Sequence, residues 1–309
     1  MQHARMPVPP ANASWRRVPF SPEDVSWLVP FCRAHGSVSD PALIRRLLLD
    51  LTSAAGGVTI VTDAGQPVLA ATVIDRTENA GDAANLEVLG VAGALPGAVF
   101  ADLVVAPSIA FAREGTRRAL NVSLHRALAR VKRAEEVLRA AGFGPCYVSF
   151  AMRRPATAGT PPPVAPLPER WRWADLEASD APAAHAALLE MFRGQPGFNL
   201  SPADHFRAAV ASGTARWRVL YDGRTIAGLV QVVPQPPEGE LRTIGRAPRY
   251  RGLALGPRLV AEGLRLAAAA GVKTLELSVE AENAAALALY HRFGFEEIGR
   301  TPVLALRLR

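Results

Sequence analysis

The chain has 309 residues, more than one domain usually needs, so two hydrophobic cores are expected. Cys32 and Cys146 are its only cysteines, which excludes a disulfide framework or a cysteine-rich metal cluster and makes the cytoplasm the simplest setting. The formal net charge of +7 would suit nucleic acid, but Lys132 and Lys273 are the only lysines and the arginines are scattered, so the charge reads as compositional bias.

Residues 1–14 are rich in proline and polar residues and lack a signal peptide's apolar core, so a mobile N-terminal arm is expected. From Trp15 the pattern gives a short strand, a helix through Trp27, Leu28 and Phe31, and another through Leu43, Leu47, Leu48 and Leu51. Residues 58–62 and 68–74 read as strands joined at Asp63-Ala64-Gly65-Gln66, hence a hairpin. Residues 95–112 are the most membrane-like stretch, but Pro96, Asp102 and Pro107 interrupt it, so a buried core segment is expected and no membrane span. Strands at 86–91 and 121–125 follow, then a helix over 131–141 ended by Gly142. Strands and helices alternate, which argues an α/β class.

Thr160-Pro161-Pro162-Pro163 and the prolines after it cannot hold a ladder or a helix interior, so residues 154–168 read as a stiff linker between domains at 15–153 and 169–309. Beyond it the order repeats. A strand at 171–175, helices at 183–192 and 203–211, and strands at 217–221 and 226–233 around Asp222-Gly223 are expected. Gly142-Phe143 and Gly294-Phe295 lie 152 residues apart, each after a helix and before a closing strand pattern, and Asn121-Val122-Ser123-Leu124 mirrors Glu276-Leu277-Ser278-Val279. The two halves therefore look like copies of one unit.

The stretch with the clearest chemistry is Arg251-Gly252-Leu253-Ala254-Leu255-Gly256-Pro257, placed between a strand and a long apolar helix pattern. Small residues let a backbone approach a ligand closely, and the unpaired amides of a helix's first turn attract anions such as a pyrophosphate. Pro257 sits just inside the helix, where its missing N–H costs nothing. With Asn283, Tyr290 and Gly294-Phe295 downstream, residues from about 170 resemble a GNAT-superfamily N-acetyltransferase domain. The family's acyl-CoA loop reads Arg/Gln-x-x-Gly/Ala-x-Gly/Ala, and Arg251, Ala254 and Gly256 stand at its fixed positions. Ala254 replaces the commoner glycine, which is tolerable if its φ is negative.

That resemblance implies tandem GNAT-like domains of mixed α/β (α+β) class, each with a central sheet flanked by helices. It also implies acetyl-CoA as acyl donor, no metal, and transfer to an amine of a small molecule or peptide by direct attack in a ternary complex. Residues 240–246 match the strand that splays from its neighbour, with an N–H near Arg246 or Ala247 polarising the thioester. Asn283 is either a helix cap or a cofactor contact, and Tyr290 matches the general acid that protonates the departing thiolate. For the base, Glu240, Glu276, Glu280, Glu282 and His291 are candidates; Glu280, at the strand end nearest the splay, is preferred, and a water chain would also serve. The first half has Ala94-Leu95-Pro96-Gly97 in place of the loop and Leu138 in place of Tyr290, so it is expected to be a degenerate copy. The alternative is an acyl-CoA-binding sensor or scaffold without turnover; oligomeric state is left open.

Overall fold

The computed structural model describes residues 14–36, 58–74, 83–115, 118–155, 160–195, 198 and 200–308. Residues 1–13 of the arm expected at 1–14, and the helix through Leu43, Leu47, Leu48 and Leu51, lie outside the described residues. Among the described residues, 14–147 and 301–308 make one compact unit and 148–300 make another.

The first unit contains β1 (Trp15–Val18), α1 (Val25–His35), β2 (Val58–Asp63), β3 (Gln66–Ile74) and β4 (Ala83–Val91). A long helical segment follows: α2 (Gly97–Phe100), a π-type turn at Ala101–Val105 and α3 (Ala106–Glu114). Then come β5 (Ala119–Ser123) and α4 (Ala134–Ala140), which ends at Gly142 with φ 97°. Strand alternation divides the apolar residues between the two faces. Ile60, Ala70 and Leu89 meet Leu28 and Cys32 of α1, while Val61, Leu69 and Val88 meet Phe100, Val104 and Leu138. The neighbours of β4 differ in sense: β3 is antiparallel to it, β5 parallel.

The second unit contains β7 (Trp171–Asp175), α5 (Ala181–Met191), α6 (Ala203–Ala211), β8 (Arg216–Asp222), β9 (Thr225–Gln235), β10 (Glu238–Arg246), α7 (Leu255–Ala269), β11 (Thr274–Glu280) and α8 (Ala284–Arg292). The β8–β9 hairpin turns through Gly223 and Arg224, with Gly223 at φ 61° supplying the left-handed position the tight turn needs. β10 is antiparallel to β9 and parallel to β11. One face of the sheet carries α5 and α6, where Leu188 and Phe206 pack on Trp217, Val219 and Leu229. The other carries α7 and α8, where Val260, Leu266 and Leu289 join Val230, Val232, Leu277 and Val279. No helix among the described residues is long and apolar enough to cross a membrane.

The units divide differently from the boundary expected at the proline-rich segment. β6 (Gly144–Pro155) was expected to close the first half, yet its residues from Ser149 to Pro155 pair antiparallel with the whole of β11 and put Met152 into the second unit's core. β12 (Glu296–Arg307) was expected to close the second half, yet Val303–Arg307 pair with β5 and put Leu304 and Leu306 into the first unit's core. The physical reason is that apolar alternation specifies a strand and its buried face but not the chain it pairs with. Residues 160–168 run without regular structure, as the prolines require, and the Arg258 guanidinium donates to the carbonyls of Ala165 (3.2 Å) and Pro166 (2.9 Å).

Candidate active site

Three features of the second unit converge around the strand that precedes α7. The first is an opening in the sheet. β10 and β11 pair over Glu238–Glu240 and Thr274–Glu276, and there the register stops although β10 runs to Arg246 and β11 to Glu280. Each remains paired on its outer side to its end. A register shift between Leu241 and Thr243 adds the local bend that a bulge gives. The opening therefore exposes backbone groups of both strands.

Which amides face it follows from the ladder. The Ala247 amide donates to the Ala227 carbonyl at 3.0 Å, so it points toward β9 and is not available as a donor in the opening. This corrects one of the two expected positions. Amides alternate in direction along a strand, so those of Arg246 and Ile244 point into the opening. The Arg246 side chain is turned aside and donates to the Tyr250 carbonyl at 3.4 Å.

The second feature is the loop into α7. Tyr250 is buried, and its hydroxyl donates to Asp222 at 3.2 Å, which ties the loop to the hairpin turn of β8 and β9. Arg251, Gly252, Leu253 and Ala254 are all exposed. Gly252 has φ 84°, and a Cβ placed there would meet nothing within 4 Å, so space is open above it. Ala254 is the N-cap of α7 at φ 49°, ψ 38°. The expectation of a negative φ is thus overturned: Ala254 occupies the left-handed region, which costs a non-glycine residue roughly 1–2 kcal/mol. The Leu255 and Gly256 amides that follow belong to the first helical turn, where no carbonyl four residues earlier within the helix can accept them. Gly256 serves packing as well as approach, since a Cβ there would lie 2.9 Å from Leu289 of α8. Pro257 occupies the third helical position, still within the first turn.

The third feature is α8. The Asn283 side chain accepts from the Ala286 amide at 3.1 Å, so it caps the helix. Two turns on, Tyr290 stacks edge-on against Phe295 at 5.9 Å and packs partly buried with the cluster containing Leu277 and Val279. Burial pushes its phenol up to about 12, so the hydroxyl keeps its proton throughout the physiological range. Glu280 lies on the opposite face of the sheet by strand alternation, with Glu276 and Ser278. Glu276 is engaged by Arg153 and Glu240 by Arg242, and Glu280 stands at the strand's end, where the chain turns to α8. Glu282 is exposed in that turn, and His291 Nδ1 lies 3.2 Å from the Phe295 carbonyl.

Two sets of contacts were not read from the sequence. Phe192 and Phe198 stack at 4.2 Å with rings 10° apart, and a Cβ on Gly245 would meet Met191 Sδ at 2.8 Å and Phe192 Cε2 at 2.9 Å. No periodic pattern marks such a pair, because it joins the end of a helix to the loop beyond. The other is Glu262, buried in α7 between Arg218 and Arg265 at 2.8 and 2.7 Å. Burial raises its carboxyl pKa, but hydrogen bonds from Arg265 and Arg218 outweigh that and hold it below the ordinary range. A helix pattern shows such a residue as polar without showing what it meets.

A mixed sheet opened between its two parallel strands, with a helix start at the mouth, is the architecture expected of a GNAT-like domain. Residues 173–295 match the model of the Acetyltransferase (GNAT) family, and that stretch is a GNAT-family domain. The N-alpha-acetyltransferase RimI of Mycobacterium tuberculosis is 41% identical over 100 residues, covering 32% of this chain and 56% of that protein. A mycothiol acetyltransferase of Corynebacterium glutamicum (strain R) is 40% identical over 77 residues, covering 25% of this chain and 26% of that protein. The chain thus spans about a quarter of the curated mycothiol acetyltransferase and about half of RimI. Among solved structures, a tandem GNAT protein from the clavulanic acid biosynthesis pathway aligns over 96% of this chain and 99% of its own, with TM-score 0.66 and 15% identity. A GCN5-related N-acetyltransferase from Sphaerobacter thermophilus aligns over 96% of each chain, with TM-score 0.59 and 18% identity. At these identities the likeness is one of fold, and the fold is that of tandem GNAT proteins.

Proposed function

We propose that the second unit transfers an acetyl group from acetyl-CoA to an amine of a small molecule or peptide, by direct attack in a ternary complex. The observation that carries this reading is the opening between β10 and β11 with the Arg246 amide directed into it, next to the exposed loop 251–254. The Leu255 and Gly256 amides, with Arg251 and Gly252, would hold the pyrophosphate, and the pantetheine arm would pair along the open edges of the strands. Asn283 keeps its capping role and stands beside that arm. The Arg246 amide polarises the thioester carbonyl; a preorganised donor of this kind is worth about 2.7–4 kcal/mol in the transition state.

Attack by the amine nitrogen forms the new C–N bond as the C–S bond breaks. The Tyr290 phenol gives its proton to the departing sulfur, and Glu280 or a water chain removes the proton from the amine. These two groups belong to opposite faces of the sheet, so each would serve its own proton transfer. RimI and the mycothiol acetyltransferase bear names of acetyltransferases, which supports the reaction class while leaving the acceptor to experiment.

The test joins calorimetry with thiol release. One CoA should bind per chain, and free thiol should appear only when an amine acceptor is added. Tight CoA binding without thiol release across small metabolites, aminoglycosides and peptide N-termini would leave an acyl-CoA-binding sensor instead.

A further inference from the structure

The acceptor's chemical class is written on the face of the sheet that the cofactor leaves open. Resting on the transferase reading, the argument starts from direction. Loop 251–254 and α8 belong to the side of the second unit that carries α7, so the donor occupies that side of the opening. The amine must then reach the carbonyl from the side of α5 and α6. The residue preceding Arg246 there is Gly245, paired with Leu229 on the α5 and α6 face. Met191 and Phe192 close directly on its backbone, at distances that leave no room for a Cβ. Phe198 stacks on Phe192, and both rings are half-buried, so the pair keeps solvent-facing surface beside the reacting position.

The charges on that face point the same way. Glu240 is held by Arg242 at 2.6 Å and Glu276 by Arg153 at 2.5 Å, so neither offers an unneutralised carboxylate to a polycation. We infer that Phe192 and Phe198 form an acceptor platform, and that the preferred acceptor is an amine carried on a flat, apolar group such as an aryl-alkyl chain. A ring laid against the platform gains apolar burial and offset stacking, neither of which an aliphatic polyamine or an amino sugar can match.

The experiment compares 2-phenylethylamine with spermidine at saturating acetyl-CoA, in the full chain and in Phe198→Leu and Phe198→Ala. The wild-type chain should favour phenylethylamine in kcat/KM by about ten-fold, the scale set by one aromatic contact with its burial. Phe198→Leu keeps an apolar filler and should erase most of that preference through KM, with the KM for acetyl-CoA and the melting temperature unchanged. If Phe198→Ala fails to fold, Phe198→Leu decides alone. Equal or better use of spermidine by the wild type, or an undiminished aryl preference in a folded variant, would overturn the platform while leaving the transferase intact. Absence of turnover with either amine, while other amine classes release thiol, would overturn the platform alone; absence of turnover with every amine class, despite CoA binding, would sink the transferase reading and this inference with it.

Discussion

The turn after β4 in the first unit and the turn after β10 in the second start from the same geometry and end differently. In both, the parallel pairing is short: β4 pairs with β5 over Ala83–Leu86 and β5 then ends at Ser123, whereas β10 pairs with β11 over Glu238–Glu240 and β11 runs on to Glu280. The connection that follows the neighbour decides what fills the gap. Between β11 and α8 only Ala281, Glu282 and Asn283 intervene, too few to fold back. Between β5 and α4 the chain has residues 124–133, and they return as a 3-10 turn whose Val131 bridges Leu95. The Leu95 amide donates to Arg130 at 2.9 Å and the Lys132 amide to Leu95 at 2.8 Å. Leu95, Leu128 and Val131 are buried by it. The start of α2 is covered too, because a Cβ on Gly97 would lie 2.6 Å from the Lys132 carbonyl oxygen. A backbone oxygen thus sits against the start of the helix. On the reading proposed above, the first unit fills with its own backbone the place that the second keeps for acyl-CoA.

The largest effect expected from this contrast is on CoA affinity. Gly252→Glu puts a carboxylate above the loop, where like charges a few ångströms apart repel by about 4 kcal/mol at a protein surface. Calorimetry should show Kd raised about a hundred-fold or more, with a modest fall in melting temperature from the left-handed φ. This site is preferable to Gly256, whose substitution would also push on Leu289 and confuse packing with binding. Two CoA sites of similar affinity in the wild-type chain would refute the division of labour between the units.

Next is Tyr290→Phe, which deletes one oxygen and leaves the contact with Phe295. Turnover should fall about a hundred-fold with CoA affinity and melting temperature little changed, as loss of a general acid predicts. The pH profile sharpens the test. Because burial raises the phenol to about 12, the wild-type rate should show no alkaline loss from this group below about pH 10. The same shift stabilises the folded state, which binds the proton more tightly than the unfolded chain. That contribution is present below pH 10 and disappears as pH rises toward 12, and Tyr290→Phe should remove this pH dependence. Full turnover in Tyr290→Phe at neutral pH would make Tyr290 a core residue only.

A smaller effect belongs to the first unit. Gly97→Ala sets a methyl group against the Lys132 backbone, and forced overpacking of this kind costs about 1–3 kcal/mol. Urea unfolding should register that loss while Kd for CoA stays at the wild-type value. A change in Kd would mean that the first unit takes part in cofactor binding.

Much of this was legible in the sequence, and the failures have a common cause. The loop at 251–257, the cap at Asn283 and the β8–β9 hairpin are local: spacing and residue type determine them within a few positions. The helix expected from Val131 begins only at Ala134, because Val131 is drawn into a bridge with Leu95 that no local pattern announces. The partners of β6 and β12 are non-local in the same way, since alternation cannot say which sheet receives a strand. At the candidate site the residue types were readable, but the direction of the Ala247 amide depends on the β9 register, and the stacking of Phe192 on Phe198 depends on a loop.

The smallest effect concerns Ala254, where sequence and structure disagree most sharply. A side chain at φ 49° carries a steric penalty of roughly 1–2 kcal/mol, whereas glycine visits that region freely. Glycine also loses more conformational freedom on folding, about 0.5–1 kcal/mol relative to alanine. The difference leaves Ala254→Gly more stable by about 0.5–1 kcal/mol, a shift measurable as a higher urea midpoint with unchanged slope. Affinity for CoA should stay within about two-fold if the loop already holds its binding conformation, because relief of strain then lowers free and bound states equally. A stability gain accompanied by weaker binding would show instead that the alanine methyl touches the cofactor. A loss of stability would show that Ala254 reaches a negative φ in solution and that the left-handed cap is not its resting conformation.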